Sequence, residues 1–243
     1  MDENINPVHI VNVLSREPQT IQTLILRNLP PDLSRRIAQY LDLKFEPETE
    51  PKEPINNEIA ELVRRDFLSN FVALEDIYEP NEIDRLSVSN LSKFIHHLGL
   101  REVAIACRGI ASKETLAAFL NGFAADDTRE IVRYLTEMEK IKPFWVVQAD
   151  ELVRNNWETE GNPERVFEKI GLKLLAIAFV ERDKICRKYT MQKFSTKQSH
   201  LWEKVLRTTK KEFVSDEEIK IQMSKRGKIV EKLAARFIQT ERL

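Results

Sequence analysis

Glycine and cysteine are scarce in this chain, and each shortage closes off an architecture. Six glycines in 243 residues are too few for a turn-rich β protein, and 42% hydrophobic with 32% charged residues suits amphipathic helices around one large or two modest cores. Cys107 and Cys186 stand apart, with no Cys-x-x-Cys or histidine spacing. That argues against a disulfide framework or a structural zinc, fits a reducing compartment, and leaves both thiols as small buried hydrophobes. Long apolar runs are missing too. The longest, Leu172 to Val180, is interrupted by Lys173 and is too short to span a bilayer, and no basic-then-apolar leader opens the chain. A cytoplasmic or peripheral protein is expected.

Catalytic signatures are equally sparse. There is no Gly-rich phosphate loop, no Gly-x-Ser-x-Gly and no metal motif. His96 and His97 are adjacent on a predicted helix, so their rings point about 100° apart and do not converge as i, i+4 metal ligands would. Glu75-Asp76 and Asp126-Asp127 have no nucleophile or second convergent group beside them and read as caps or surface carboxylates. The expectation is a non-enzyme without catalytic residues, cofactor, metal or small-molecule substrate.

What the chain does have is helical punctuation. Asn6-Pro7 is a capping side chain followed by a proline, ahead of Val8, Val11 and Leu14. Pro18 suits a first helical turn, and Ile21, Leu24, Ile25 and Leu29 then recur on one face. Pro30 and Pro31 stop that helix, while Pro31 and Asp32 open another with Leu33, Ile37, Tyr40 and Leu41 facing inward. Two short amphipathic helices joined at a Pro-Pro corner cannot bury their stripes alone, which predicts a stacked helical array.

Further along, residues 45–58 carry Pro47, Pro51 and Pro54 among glutamates and read as an extended linker. Ile59, Leu62, Val63, Phe67 and Phe71 form the next stripe, then Leu91, Phe94, Ile95 and Leu98, then Leu116, Phe119 and Leu120, with Gly99 and Gly109 as helix ends. Gly161-Asn162-Pro163 marks a hinge before a long helix through Val166, Phe167, Ile170, Leu174, Ile177 and Ala178. From Ser199 onward two more helices are predicted, the last capped by Ser215 with acids in its first turn and an imperfect stripe of Ile219, Met223, Val230, Leu233 and Phe237 broken by Gly227. From Glu181 to the end there are 17 Lys or Arg against 9 acids, and before it 21 against 30, so a tail of about +8 follows a body of about −9. A basic tail of this kind suits an acidic partner, a nucleic acid, an anionic membrane or its own body.

Two regions resemble the bacterial flagellar motor switch family FliG. Its middle domain carries Glu-His-Pro-Gln-Thr-Ile and Leu-Pro-Pro-Glu; here Pro18-Gln19-Thr20-Ile21 and Leu29-Pro30-Pro31-Asp32-Leu33 stand, with Arg16-Glu17 where the family has Glu-His. Its carboxy-terminal domain is matched by Leu74-Glu75-Asp76-Ile77, Asn81-Glu82-Ile83-Asp84-Arg85-Leu86, Val103-Ala104-Ile105-Ala106-Cys107-Arg108-Gly109 and Phe119-Leu120-Asn121-Gly122-Phe123. The resemblance covers about residues 6–45 and 60–155. It leaves the family's amino-terminal domain without a counterpart and the last third unmatched.

That resemblance implies an all-α protein of armadillo-like stacked hairpins: a middle-like unit over 1–44, the linker over 45–58, a carboxy-terminal-like domain over 59–160 and a basic helical tail over 161–243. It implies a structural adaptor in the cytoplasmic ring of a flagellar motor switch or related type III secretion apparatus, peripheral to the inner membrane, with partners of the FliM and FliF class. In that reading Glu17, Pro18 and Gln19 dock one ring protein, and Arg108, Asp126, Arg133 and Lys142 face a second. Arg108 keeps the family's positive charge before Gly109 and Lys142 sits near a family Arg, whereas Asp126 replaces an Arg and Arg133 and Tyr134 replace two acids. The mixed charge face favours a scaffold over a torque generator. Self-association and membrane contact through the tail stay open. The alternatives are a nucleic-acid-binding regulator that combines the tail's basic residues with Trp202, Phe213 and Phe237, and a soluble helical signalling adaptor.

Overall fold

The structure, a computed structural model, describes residues 4–45, 56–137 and 141–241. The described residues contain twelve α-helices, one short 3-10 turn and no strand. In chain order these are α1 (Pro7–Leu14), α2 (Gln19–Arg27), α3 (Pro31–Tyr40), α4 (Asn57–Ser69), the turn Leu74–Asp76, α5 (Val88–Cys107), α6 (Lys113–Leu120) and α7 (Ala125–Glu137). They continue with α8 (Pro143–Glu160), α9 (Pro163–Phe179), α10 (Lys184–Met191), α11 (Thr196–Ser215) and α12 (Glu217–Glu241). The chain gathers into two compact units, residues 1–91 with 182–201 and residues 92–181 with 202–243. Most of the expected Pro/Glu linker, residues 46–55, lies outside the described residues.

The first unit starts where its punctuation says. The Asn6 side chain accepts from the Val8 N–H at 3.2 Å, and Pro7, which has no N–H to satisfy, occupies the first turn of α1. Pro18 falls one position earlier than read from the sequence, as the residue before α2, and α2 closes at Arg27 with the Asn28 amide donating to the Leu24 carbonyl at 2.9 Å. Pro31 opens α3 as expected. The corner is clamped by Ser34, fully buried, whose hydroxyl lies 2.6 Å from the Leu26 carbonyl and 3.0 Å from that of Pro30. The hydroxyl thereby adds a second contact to carbonyls that already accept from the Leu29 and Ser34 N–H groups. Ile10, Leu14, Ile25, Leu26, Ile37 and Phe67 form the core beneath.

Three inward assignments in this unit do not hold. Tyr40 is 70% exposed, and Ile59 and Leu62 are each 55% exposed, because Val63, Phe67 and Phe71 already supply the face of α4 that meets the core. The Gln192 amide ties the loop after α4 to the end of α10, accepting from Val72 N–H at 3.0 Å and donating to the Val72 carbonyl at 2.8 Å.

The second unit is organised around α9, whose residues from Val166 to Phe179 are buried apart from Glu168, Lys169 and Lys173. Gly161 ends α8 with φ +62, the left-handed conformation glycine adopts without strain, and the Asn162 side chain then caps α9 by accepting from the Arg165 N–H at 3.3 Å. α9 packs on α8 and α12. Its contact with α5 depends on two glycines. A Cβ at Gly99 would stand 2.2 Å from the Phe167 carbonyl oxygen, and one at Gly171 would stand 2.0 Å from that of Ile95. Gly99 therefore lies inside α5, at a helix crossing, and ends nothing. Gly227 has the same role more loosely: a Cβ there would stand 3.3 Å from the Ala178 Cα, where α12 crosses α9. The cap of α12 is Asp216 rather than Ser215: its carboxylate accepts from the Glu218 N–H at 2.7 Å, while Ser215 completes α11.

Candidate functional site

Glu17, Pro18 and Gln19 come together on the corner between α1 and α2, all exposed. The Gln22 amide holds that corner by donating to the Leu14 and Glu17 carbonyls at 3.0 and 2.9 Å. Glu17 rims a groove of about 340 Å³ whose walls include Val13 and Ile21 from the hairpin side and Leu62 and Val63 from α4. Ile59 lies one turn before Leu62 on the same helix, so α4 carries a pair of uncovered aliphatic side chains beside that groove. A second groove, about 840 Å³, runs along α1 and α3 with Pro30, Leu33 and the exposed Tyr40 in its lining. Sequence periodicity had assigned Ile59, Leu62 and Tyr40 to the interior; their exposure makes this unit's surface more apolar than its pattern suggested.

In the second unit, Asp126 and Arg133 lie on α7, Arg108 follows α5, and Lys142 sits exposed just before α8. The charges on α7 are largely answered locally. Asp126 pairs with Arg129 one turn on, and Arg133 stands 2.6 Å from Glu130 and 3.8 Å from Glu137. Arg108 is half-buried and donates to the Leu135 carbonyl at 3.2 Å, which fastens the end of α7 to the end of α5. Such i, i+3 and i, i+4 pairs leave α7 a mixed ladder with little net field. The histidines do not converge: His96 Nε2 lies 2.8 Å from Asp127, and His97 Nδ1 meets the Tyr134 hydroxyl. No group of three or more His, Cys, Asp or Glu gathers as a metal site among the described residues. The rings that would stack bases are unavailable in part, since Trp202 is wholly buried against Phe179 and Phe237 is 8% exposed.

One polar cluster had no sequence signal at all. In the first unit Asp84, with no exposed surface, receives both terminal nitrogens of Arg182 at 2.9 and 2.6 Å, and also accepts from the Asn81 N–H at 2.8 Å. Cys186 lies 3.3 Å from the Arg182 guanidinium, and burial pushes its thiol up to about 11. Lys193, 2% exposed, directs its amine at the carbonyls of Asp84 and Leu86, 2.6 and 2.5 Å away, over the Tyr189 ring. Burial pushes that amine down to about 7 against the pull of Asp84. A neutral amine has two N–H groups, and two carbonyls are what it meets.

The linkage has a definite sign. From the lowered value near 7 up to the ordinary 10.5, the unfolded chain holds a proton that the folded chain has released, so stability from Lys193 rises with pH across that interval. The gap in urea midpoint between the native chain and Lys193→Met is therefore expected to shift in the native chain's favour from pH 7 to 9. Cys107 and Cys186, both raised from 9.0 to about 11, act in the opposite direction as pH rises through 9, but they do so in both chains and drop out of the gap. A gap that stays constant with pH would mean that Lys193 titrates as an ordinary lysine.

No described helix is long and apolar enough to cross a membrane. The chain matches no protein-family model, no curated protein and no solved structure.

Proposed function

We propose that this chain is a helical adaptor of FliG-like type, built from armadillo-like stacked hairpins, that works by docking other proteins in the cytoplasmic ring of a flagellar switch or related secretion apparatus. The observation that carries this reading is the groove lined by Glu17, the chain neighbour of Pro18 and Gln19, together with the half-exposed Leu62 of α4. Uncovered apolar surface beside a rigid, proline-framed corner suits helix-in-groove recognition, in which aliphatic anchors give affinity and a charged rim gives orientation. The partner that fits is a ring protein presenting an amphipathic segment with a basic residue opposite Glu17. The paired charges of α7, with Arg108 and Lys142 nearby in sequence, serve a second and weaker contact.

The test is affinity purification from the native cell with the intact chain and with Gln19→Arg/Leu62→Asp, both at exposed positions so that the fold is spared. A flagellar or secretion ring component is expected with the intact chain and is expected to be lost with the variant. Recovery of no such component by the intact chain, or equal recovery by both, would overturn the assignment.

A further inference from the structure

Within the second unit, α5, α7 and α12 line an open cavity of about 710 Å³, the size of an ordinary small-molecule site. Phe94 and Phe237 supply an apolar wall, their ring centroids 5.5 Å apart. The polar side is charged and unbalanced. Both carboxylates that line it, Glu130 and Glu137, are drawn to Arg133. Arg101 from α5 and Arg236 from α12 are then left facing the same space with no carboxylate partner among the described residues.

Burial pushes the Arg101 guanidinium below its ordinary range; Tyr134 pulls the other way and Arg236 repels it. Burial pushes the Tyr134 phenol up as well, so it keeps its proton, and its hydroxyl is engaged with His97 Nδ1 on the same wall. Like charges held together at the edge of an apolar wall are relieved by an anion placed between them, and guanidinium groups match the oxygen spacing of phosphate and carboxylate.

We propose that this cavity binds a soluble amphiphilic oxyanion, a phosphate or carboxylate group attached to an aromatic or aliphatic body. Arg101 and Arg236 clamp the oxyanion while Phe94 and Phe237 cover the body. The site is independent of the docking groove in the first unit, and shares no residue with it. A ligand there bridges α5, α7 and α12 and so binds the folded unit alone, which makes it a stabilising effector.

The experiment titrates 1-naphthyl phosphate into the full chain by calorimetry, with 1-naphthol as the uncharged analogue and inorganic phosphate as the headgroup without a body. Saturable binding of 1-naphthyl phosphate is expected, weaker by about tenfold or more for each control. Arg236→Gln, at an exposed position, is expected to weaken it by about tenfold at unchanged melting temperature, and Arg101→Lys by a similar factor because a point charge replaces a planar fork. Naphthol binding as tightly as its phosphate, or affinity surviving both substitutions, would overturn the proposal. So would binding confined to phosphatidate-containing vesicles or to a polyglutamate peptide, which would place a membrane or another chain where the soluble ligand is expected.

Discussion

Arg182→Met is expected to cost the first unit about 3–5 kcal/mol of unfolding free energy, because it leaves a carboxylate buried without its counter-charge. Asp84 has no exposed surface, and the Arg182 side chain is 12% exposed, so neither ion can recover hydration by a small movement. Asp84→Asn should cost a similar amount for the complementary reason, although the amide oxygen still serves the Asn81 N–H that the carboxylate now accepts at 2.8 Å. The double variant Asp84→Asn/Arg182→Met should come out more stable than the sum of the two losses by about 1–3 kcal/mol, since removing both charges removes the penalty of stranding either. Urea unfolding of the four chains measures this. Additive losses would show that the pair is hydrated and contributes little. The pair matters for architecture because it joins the loop before α5 to the segment leading into α10, positions 98 apart in sequence. With Lys193 holding the Asp84 and Leu86 carbonyls, the same loop is fixed from two sides.

The elements that were readable in advance are those whose signals are local. Asn6-Pro7 and Gly161-Asn162-Pro163 each combine a cap with a residue whose backbone preference fits one place at a helix end, Pro31 opens a helix by its fixed backbone alone, and all three stand at helix starts. The buried stripes of α5 and α9 were equally legible, because Leu91, Phe94, Ile95 and Leu98 and the series from Val166 to Ala178 repeat at the helical period with few interruptions. Errors arose where two local readings were equally good. Ser215 and Asp216 are both capping residues; the tie was broken by α11, which incorporates Ser215.

The remaining differences have non-local causes. Periodicity cannot say that Ile59 and Leu62 find no neighbour, since an uncovered aliphatic pair and a covered one are written alike. In the linear sequence Asp84 is one acid two residues after Glu82, and only the approach of Arg182 makes it internal. The same holds for the cavity in the second unit. Arg101 and Arg236 are ordinary helix-surface residues in the linear pattern, and become notable when Arg133 absorbs both nearby carboxylates. The corner at Glu17 to Gln19 was legible as geometry, a proline-started helix after a short loop, but the groove it borders is made by α4, more than 40 residues away.

Gly171→Ala should be the most damaging single-atom-group change in the second unit. The added Cβ would stand 2.0 Å from the Ile95 carbonyl oxygen and 2.8 Å from its carbon, distances that backbone atoms cannot yield to by rotating a side chain. Either α9 must slide away from α5 or the two helices must bend, and both responses open the packing of Ile95, Phe167 and Ile170, which are almost fully buried. Overpacking of this kind costs about 3 kcal/mol or more, above the roughly 1 kcal/mol that alanine contributes through its higher helix propensity. Gly99→Ala, with its Cβ 2.2 Å from the Phe167 carbonyl oxygen, should behave alike, and the paired variant should lose less than the sum because the first displacement already makes room for the second methyl. Gly122→Ala is the internal control: its Cβ would meet only the Phe119 carbonyl, at 3.3 Å, and a change within about 1 kcal/mol is expected. Thermal or urea unfolding of these chains decides it. If Gly171→Ala and Gly122→Ala prove equally mild, α5 and α9 are not in the close crossing that places Arg101 opposite α7 and α12, and the anion cavity would lose the frame that holds its two guanidinium groups together.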